Sequence, residues 1–129
     1  MTMTNQTIVE TNQDILKREF LSLMKNIDER KIAEVESGFH PDYADSVSIK
    51  GSASVFSSDK TKYIDSLKEG KIGGVDRAVH IHSIEFLDQF GFVKADLESP
   101  VMKFQSLYTF YNNQDGWKMI KAVVVAEKK

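Results

Sequence analysis

At 129 residues the chain has room for one domain with a single hydrophobic core. Hydrophobic residues make up 41% and charged residues 28%, the balance of an ordinary globular protein. The net charge of −2, from 17 Lys+Arg against 19 Asp+Glu, lacks the positive field that a non-specific polyanion binder needs, and zero Cys removes disulfides, thiolate metal sites and cysteine nucleophiles. The start of the chain has no basic segment followed by an apolar run, and no stretch reaches the roughly 18 apolar residues of a membrane span. These features give the expectation of a cytoplasmic protein with no nucleic-acid and no membrane partner.

Met1 to about Thr7 read as a loose polar tail on a single domain spanning residues 1–129. From about Thr11 an amphipathic helix begins, with Leu16, Phe20, Leu23, Met24 and Ile27 on one stripe of a 3.6-residue period. Thr11 or Asn12 can cap it, and Asp14 sits where the helix dipole favours an anion. A shorter helix is predicted from Asp28 or Glu29 to Ser37, with Ile32 and Val35 inward and Gly38 just past its end. Phe39-His40-Pro41-Asp42-Tyr43 then breaks the pattern, because Pro41 disfavours helical backbone at His40. That segment reads as a turn feeding a short strand, in which Val47 and Ile49 alternate with polar residues up to Gly51. A third helix follows, capped by Ser57 or Ser58, with Tyr63, Ile64 and Leu67 on its apolar face and Gly70 at its end. Lys71 to Asp76, containing Gly73-Gly74, reads as a mobile connection.

The remainder reads as a meander: Ala78–Asp88, a turn at Gln89-Phe90-Gly91, Phe92–Ser99, a turn near Pro100, Val101–Asn112, a turn at Asn113–Gly116, and Trp117–Ala126. Two of these strands are apolar on both faces. One face of Val101–Asn112 holds Met102, Phe104, Tyr108 and Phe110, and the other Val101, Leu107 and Tyr111. In the last strand strict alternation sets Trp117, Met119, Val123 and Val125 against Ile120, Ala122, Val124 and Ala126. A sheet wetted on one side alternates apolar with polar, so both faces of this one need cover. Helices of the same chain cover one; a second copy covering the convex side would make a homodimer.

This order of elements resembles the nuclear transport factor 2-like superfamily, from about Thr11 to Ala126. Within it the chain is most similar to the SnoaL-like and lumazine-binding groups. The resemblance is carried by Phe39-His40-Pro41-Asp42-Tyr43 and by Asp115-Gly116-Trp117-Lys118-Met119-Ile120. It implies an α+β fold: a cone-shaped, curved, mainly antiparallel sheet wrapped around the three helices, with a pocket inside. Members of the superfamily serve as isomerases, dehydratases, cyclases, scaffolds and transport adaptors, so the fold does not fix the function. The general-base carboxylate of its ketosteroid isomerases falls, by offset from Gly51-Ser52, near Ser48, and their phenolic donor has no Tyr to match it in Thr11–Ile27. The acidic slot early in the penultimate strand of related members holds Ser106.

His40 with Asp42 is the catalytic candidate: a His beside a carboxylate can act as a general base near neutral pH. The alternative is that Asp42 turns the backbone and His40 lies at the surface. His80 and His82 form an H-x-H on a strand, which is ligand spacing. Yet a bulge near Ser83 would put Val79, Ile81, Ile84 and Phe86 inside and both histidines outside, so no metal is expected. Phe39, Tyr43, Tyr63, Ser106 and Tyr108 are the candidate pocket wall; aromatics of this size also serve simply as core. Arg77 and Asp96 are the other ionisable groups within reach of a cone, with Val93, Ala95 and Leu97 sending Asp96 outward. No cofactor is implied. Three functions fit: a binder of a small molecule whose identity the sequence does not give, a cofactor-independent dehydratase, isomerase or cyclase using His40 and Asp42, or an interaction module whose cone is filled by its own side chains.

Overall fold

The computed structural model describes residues 10–129; the expected tail, Met1 to Thr7, lies outside them. The described residues form helices α1 (Asn12–Asp28), α2 (Ile32–Gly38) and α3 (Lys60–Lys68) and strands β1 (Phe39–Ile49), β2 (Val55–Asp59), β3 (Ala78–Leu87), β4 (Phe90–Glu98), β5 (Met102–Asn112) and β6 (Trp117–Lys128). The strands build one six-stranded sheet in the order β2-β1-β6-β5-β4-β3. Only β1 and β6 run parallel; every other neighbour is antiparallel. The sheet curls into an open cone around the helices, the α+β fold that the sequence implied.

α1 begins with a capping box: the Thr11 hydroxyl accepts from the Asp14 N–H while the Asp14 carboxylate accepts from the Thr11 N–H. Its predicted stripe of Leu16, Phe20, Leu23, Met24 and Ile27 is buried. Phe20 stands 5.2 Å from the Tyr108 ring and meets Phe110 edge-on at 6.2 Å, which locks the helix to β5. Each such side chain contributes about 1.5–3 kcal/mol by leaving water.

Several local expectations change. α1 continues through Asp28, and Arg30 adopts a positive φ of 53° in the turn, so α2 starts later, at Ile32. The Phe39–Tyr43 segment is no separate turn but the first part of β1, whose pairing with β6 shifts between Phe39 and Ala44. Pro41, which has no N–H for a ladder, falls inside that unpaired stretch. β2 is an additional strand along β1, and α3 is capped by Asp59, whose carboxylate accepts from the Lys62 N–H, rather than by Ser57 or Ser58. The β3–β4 turn falls at Asp88-Gln89, with Asp88 at φ 53°, so Phe90 already belongs to β4.

Two bulges reset which side chains face inward. In β3 the register slips between Ile81 and Ser83, and both His80 and His82 are exposed, with the His82 Nε2 2.8 Å from the Asp96 carboxylate. In β6 the partners of Thr109 and Phe110 are Lys121 and Met119, so Ile120 is the extra residue. Trp117 and Met119 therefore face inward together with Ala122 and Ala126, while Val123 is 53% exposed on the other side. Strict alternation sets Val123 with Trp117 and Ala122 opposite, and the extra residue reverses that facing. The outer face carries Leu107, 47% exposed, directly across from Val123. Val101, expected on that face, precedes β5 and lies at the mouth of the cone.

The connection from Gly70 to Arg77 is tied down rather than loose. The Arg30 guanidinium donates to the carbonyls of Gly70, Ile72 and Gly73, and the Gly74 N–H donates to the Asp28 carbonyl. Gly73 has φ +75°, and a Cβ there would stand 2.5 Å from the Ile27 carbonyl oxygen. Gly51 has φ +89° with nothing within 4 Å of that position. Gly51→Ala is thus expected to cost about 1 kcal/mol from backbone strain alone, and Gly73→Ala more than about 2 kcal/mol, measured as the difference in urea unfolding. Equal costs would show that the connection yields without strain.

Candidate functional site

The cone holds a cavity of about 380 Å³, within the range of small-molecule sites. β1 contributes Phe39, Tyr43, Asp45 and Val47, and α3 contributes Tyr63. β5 and β6 supply Phe104, Tyr108, Met119, Ala122 and Val124, while Met24, Ile27 and Asp28 come from the last turns of α1. Ile72, Val75 and Arg77 from the connection complete the wall near the mouth. The lining is mostly apolar, with a few polar groups held in defined positions.

The first polar group is Asp45, buried on β1. The Tyr43 hydroxyl donates to one carboxylate oxygen at 2.6 Å and the Ser58 N–H to the other at 2.9 Å. Burial raises the Asp45 pKa above its ordinary value, with the nearby Asp59 charge adding to the rise and the two hydrogen bonds opposing it. Burial, and then the bond to Asp45, push the Tyr43 phenol strongly upward, so it stays a neutral donor. Around this pair Phe39 lies 4.2 Å from Tyr43 and 4.8 Å from Tyr63, ring centre to ring centre.

The second polar group is Arg77. Its N–H and its Nε donate to the two oxygens of the buried Asp28, at 3.0 and 2.6 Å. Its guanidinium lies 5.7 Å from the Phe104 ring centre. Burial raises the phenols of both Tyr63 and Tyr108, and the Arg77 charge lowers them in part. The Ser106 hydroxyl, near Tyr108, also opposes the rise there.

Of the residues singled out from the sequence, Phe39, Tyr43, Tyr63, Arg77 and Tyr108 are brought together in this wall. Ser106 is buried on the same strand face between Phe104 and Tyr108 but does not line the cavity, and its Oγ has no hydrogen-bond partner among the described residues. His40 and Asp42 do not line the cavity either. The Asp42 N–H donates to the His40 Nδ1 at 3.0 Å, the carboxylate is 84% exposed, and the His40 ring meets Tyr111 edge-on on the outer side of the sheet. The β-strand alternation that sends Phe39, Tyr43 and Asp45 inward turns His40 and Asp42, at the alternate positions, to the other face, which is the physical reason that the pair is separated from the cavity. Asp96 is turned outward, and no group of three His, Cys, Asp or Glu among the described residues is placed to hold a metal ion. No helix among the described residues is long and apolar enough to cross a membrane.

Asp45 was missed, although a signal for it existed. Val47 and Ile49 already set one face of the strand, and stepping back by two residues places Asp45 and Tyr43 on it.

Comparison with known proteins agrees with this fold. The family model described as Putative lumazine-binding matches residues 22–124. No curated protein matches the sequence. Among solved structures, an NTF2-like protein from Cytophaga hutchinsonii aligns with a TM-score of 0.75 at 17% identity, over 91% of this chain and 99% of the other. A ketosteroid isomerase-like protein from Erwinia carotovora atroseptica gives 0.68 at 14% identity, over 93% and 98%. A cystatin-like fold protein from Burkholderia xenovorans gives 0.71 at 16% identity, over 92% and 93%. At these identities the likeness is one of fold.

The raised pKa of Asp45 carries a pH signature. The folded protein holds this proton more tightly than the unfolded chain, so the stability it contributes is full below the ordinary carboxylate value of 3.8 and is lost as pH rises through the higher folded value. Asp45→Asn, which cannot ionise, is expected to flatten that loss in a series of melting temperatures from pH 4 to pH 8. Parallel curves for the two proteins would show that Asp45 titrates normally.

Proposed function

This chain belongs to the Putative lumazine-binding family of the nuclear transport factor 2-like fold, and on that premise we propose that it binds a small, largely apolar organic molecule inside the cone. The observation that carries this reading is the cavity of about 380 Å³, walled by aromatic and aliphatic side chains with Asp45 and Arg77 among them. A cone filled by its own side chains, as an interaction module would have, leaves no such space. Lumazine, the bicycle in the family's name, is the natural first probe. Ala122 points into the cavity from β6, and Ala122→Phe would place a ring in the space a ligand needs. Titration of lumazine, or of naphthalene as a purely apolar bicycle, is expected to show saturable binding that this substitution weakens at least tenfold with the melting temperature held. Binding that the variant leaves unchanged, or none by the unmodified protein, would overturn the reading.

The enzyme reading rests on Asp45 in place of His40 and Asp42. A buried carboxylate of raised pKa inside a cavity is the type of group that acid–base chemistry uses. An activity that survives Asp45→Asn would remove this residue from any such mechanism.

The partner on the outer side of the sheet is a second copy of the chain. Leu107, Val123 and Tyr111 are apolar or aromatic there, Tyr111 packs on Phe90 at 5.0 Å, and the helices occupy only the inner side. A two-fold pairing of this face is the simplest closed arrangement, burying on the order of 1,200–2,000 Å² in total. Sedimentation at micromolar concentration is expected to give a dimer, and Leu107→Arg, which sets a charge in the centre of the face, to give monomers or aggregates. A monomeric unmodified protein would refute the pairing.

A further inference from the structure

The cavity is asymmetric in hydrogen-bonding character. On the β1 side stands a carboxylate, Asp45, which offers acceptor lone pairs beyond those used by Tyr43 and Ser58. At the entry to β3, which lies four places from β1 in the sheet order, stands a guanidinium whose Nε is committed to Asp28 and whose Nη2 meets only the Met24 sulfur, at 3.8 Å. The Arg77 Nη1 has no partner among the described residues, although the side chain is only 17% exposed. Tyr63 lines the same cavity, packed on Phe39 and Tyr43, and its hydroxyl makes no hydrogen bond to another described residue. Neither of these unpaired donors is sealed from solvent, since the Ser106 Oγ is the one buried side-chain polar atom without a partner among the described residues, so both are open to a ligand, and one that meets them gains specificity.

Charge then selects among ligands that could do so. Arg77 is matched by Asp28 through two hydrogen bonds, which leaves Asp45 as the unbalanced ionisable group of the inner wall. Lys71, at the mouth, is exposed and 2.9 Å from Glu69. An anionic ligand would bring a second negative charge into a low-dielectric space whose balance is already zero or negative. An ammonium would lose its water in a cavity that also holds a guanidinium, to meet a carboxylate that already accepts two donors.

We propose that the ligand is a neutral, flat, mostly apolar molecule with a carbonyl acceptor at one end, held by Arg77 and Tyr63, and an N–H or O–H donor at the other, received by Asp45. The inference deepens the binding reading above and rests on it. It names a chemical class: neutral ring systems that carry a carbonyl and a hydroxyl or ring N–H at opposite ends.

One set of probes on a common bicycle tests it, using the full chain at pH 6 and calorimetric or fluorescence titration. Naphthalene offers no polar group, 2-acetylnaphthalene only an acceptor, 2-naphthol only a donor, and 6-acetyl-2-naphthol both; 6-hydroxy-2-naphthoate replaces the ketone by an anion, and 2-naphthylmethylamine carries a cation. The acceptor and the donor are each expected to tighten binding about three- to tenfold over naphthalene, and the bifunctional probe to bind tightest of all. The anion and the cation are each expected to bind at least about tenfold more weakly than the bifunctional probe. Arg77→Gln is expected to erase the gain from the acetyl group while keeping that from the hydroxyl; because it strands Asp28, the paired change Asp28→Asn with Arg77→Gln is measured beside it. If naphthalene binds and the polar groups add nothing, or if either charged probe binds tightest, the inference falls while the binding reading stands. If no probe binds, naphthalene included, both fall.

Discussion

A carboxylate taken out of water is tolerated only where protein donors replace the hydration it loses. Asp28, the last residue of α1, meets that condition by recruiting two separate parts of the chain: the Arg77 N–H and Nε reach its carboxylate, and the Gly74 N–H reaches its carbonyl. Removing any one of these partners would leave a buried polar group unmatched, so the end of the helix, the Gly73-Gly74 connection and the entry to β3 are fixed as a unit. The mouth of the cone takes its shape from that unit. Arg30 strengthens it from the next turn, donating to the Gly70, Ile72 and Gly73 carbonyls of the same connection. Two glycines at positive φ in the connection follow from the close approach, because a Cβ at Gly73 or Gly74 would run into the Ile27 carbonyl or the Arg30 guanidinium.

The helices and the meander were legible because their signals are local. A stripe of five apolar residues at helical spacing has one solution, and Asp115-Gly116 between two apolar runs has nearly one; Gly116 indeed takes φ +103° in that turn. What escaped depends on pairing between distant segments. β2 is exposed along nearly its whole length, with Val55 and Phe56 at the surface and serines behind them, so it has no alternation to read and exists through its ladder to β1. The extra residue at Ile120 is set by how β6 meets β5, and one such residue reverses the facing of everything after it. β3 was readable across its bulge for the opposite reason: Ile84 and Phe86 fall out of step with Val79 and Ile81, so the defect is visible in the apolar pattern itself.

The candidate site was legible in the same uneven way. Its aromatic wall could be named from composition and position, since Phe39, Tyr43, Tyr63 and Tyr108 have few other places to go in a cone. Of its ionisable groups Arg77 could be named and Asp45 could not, because a His beside an Asp in a conspicuous turn is the louder signal. Alternation along β1 decides the matter: Phe39, Tyr43, Asp45 and Val47 share the inner face, and His40 is carried to the outer one beside Tyr111. A carboxylate two residues from an apolar strand position is a quieter signal than His-Pro-Asp, but it is the one that the geometry of a strand supports.

The two bulges and the slip in β1 also explain why a cavity exists at all. A regular strand lining the inside of a cone presents a large side chain at every second residue. In β6 the insertion at Ile120 breaks that series and brings the small Ala122 into the wall beside its ladder partner Tyr108, with Ala126 further along. In β1 the unpaired stretch around Pro41 lets Phe39 and Tyr43 stack on each other at the floor rather than project across the space. Small residues on one strand and self-packed aromatics on its neighbour together leave volume that the helices do not fill. The polar groups then stand where that volume meets the ends of elements: Asp45 beside the β2–α3 junction, which supplies the Ser58 N–H, and Arg77 beside the end of α1, which supplies Asp28. An apolar lining with an acceptor on β1 and a donor at the entry to β3 is therefore a direct consequence of where the strands break their regularity and where the helices stop.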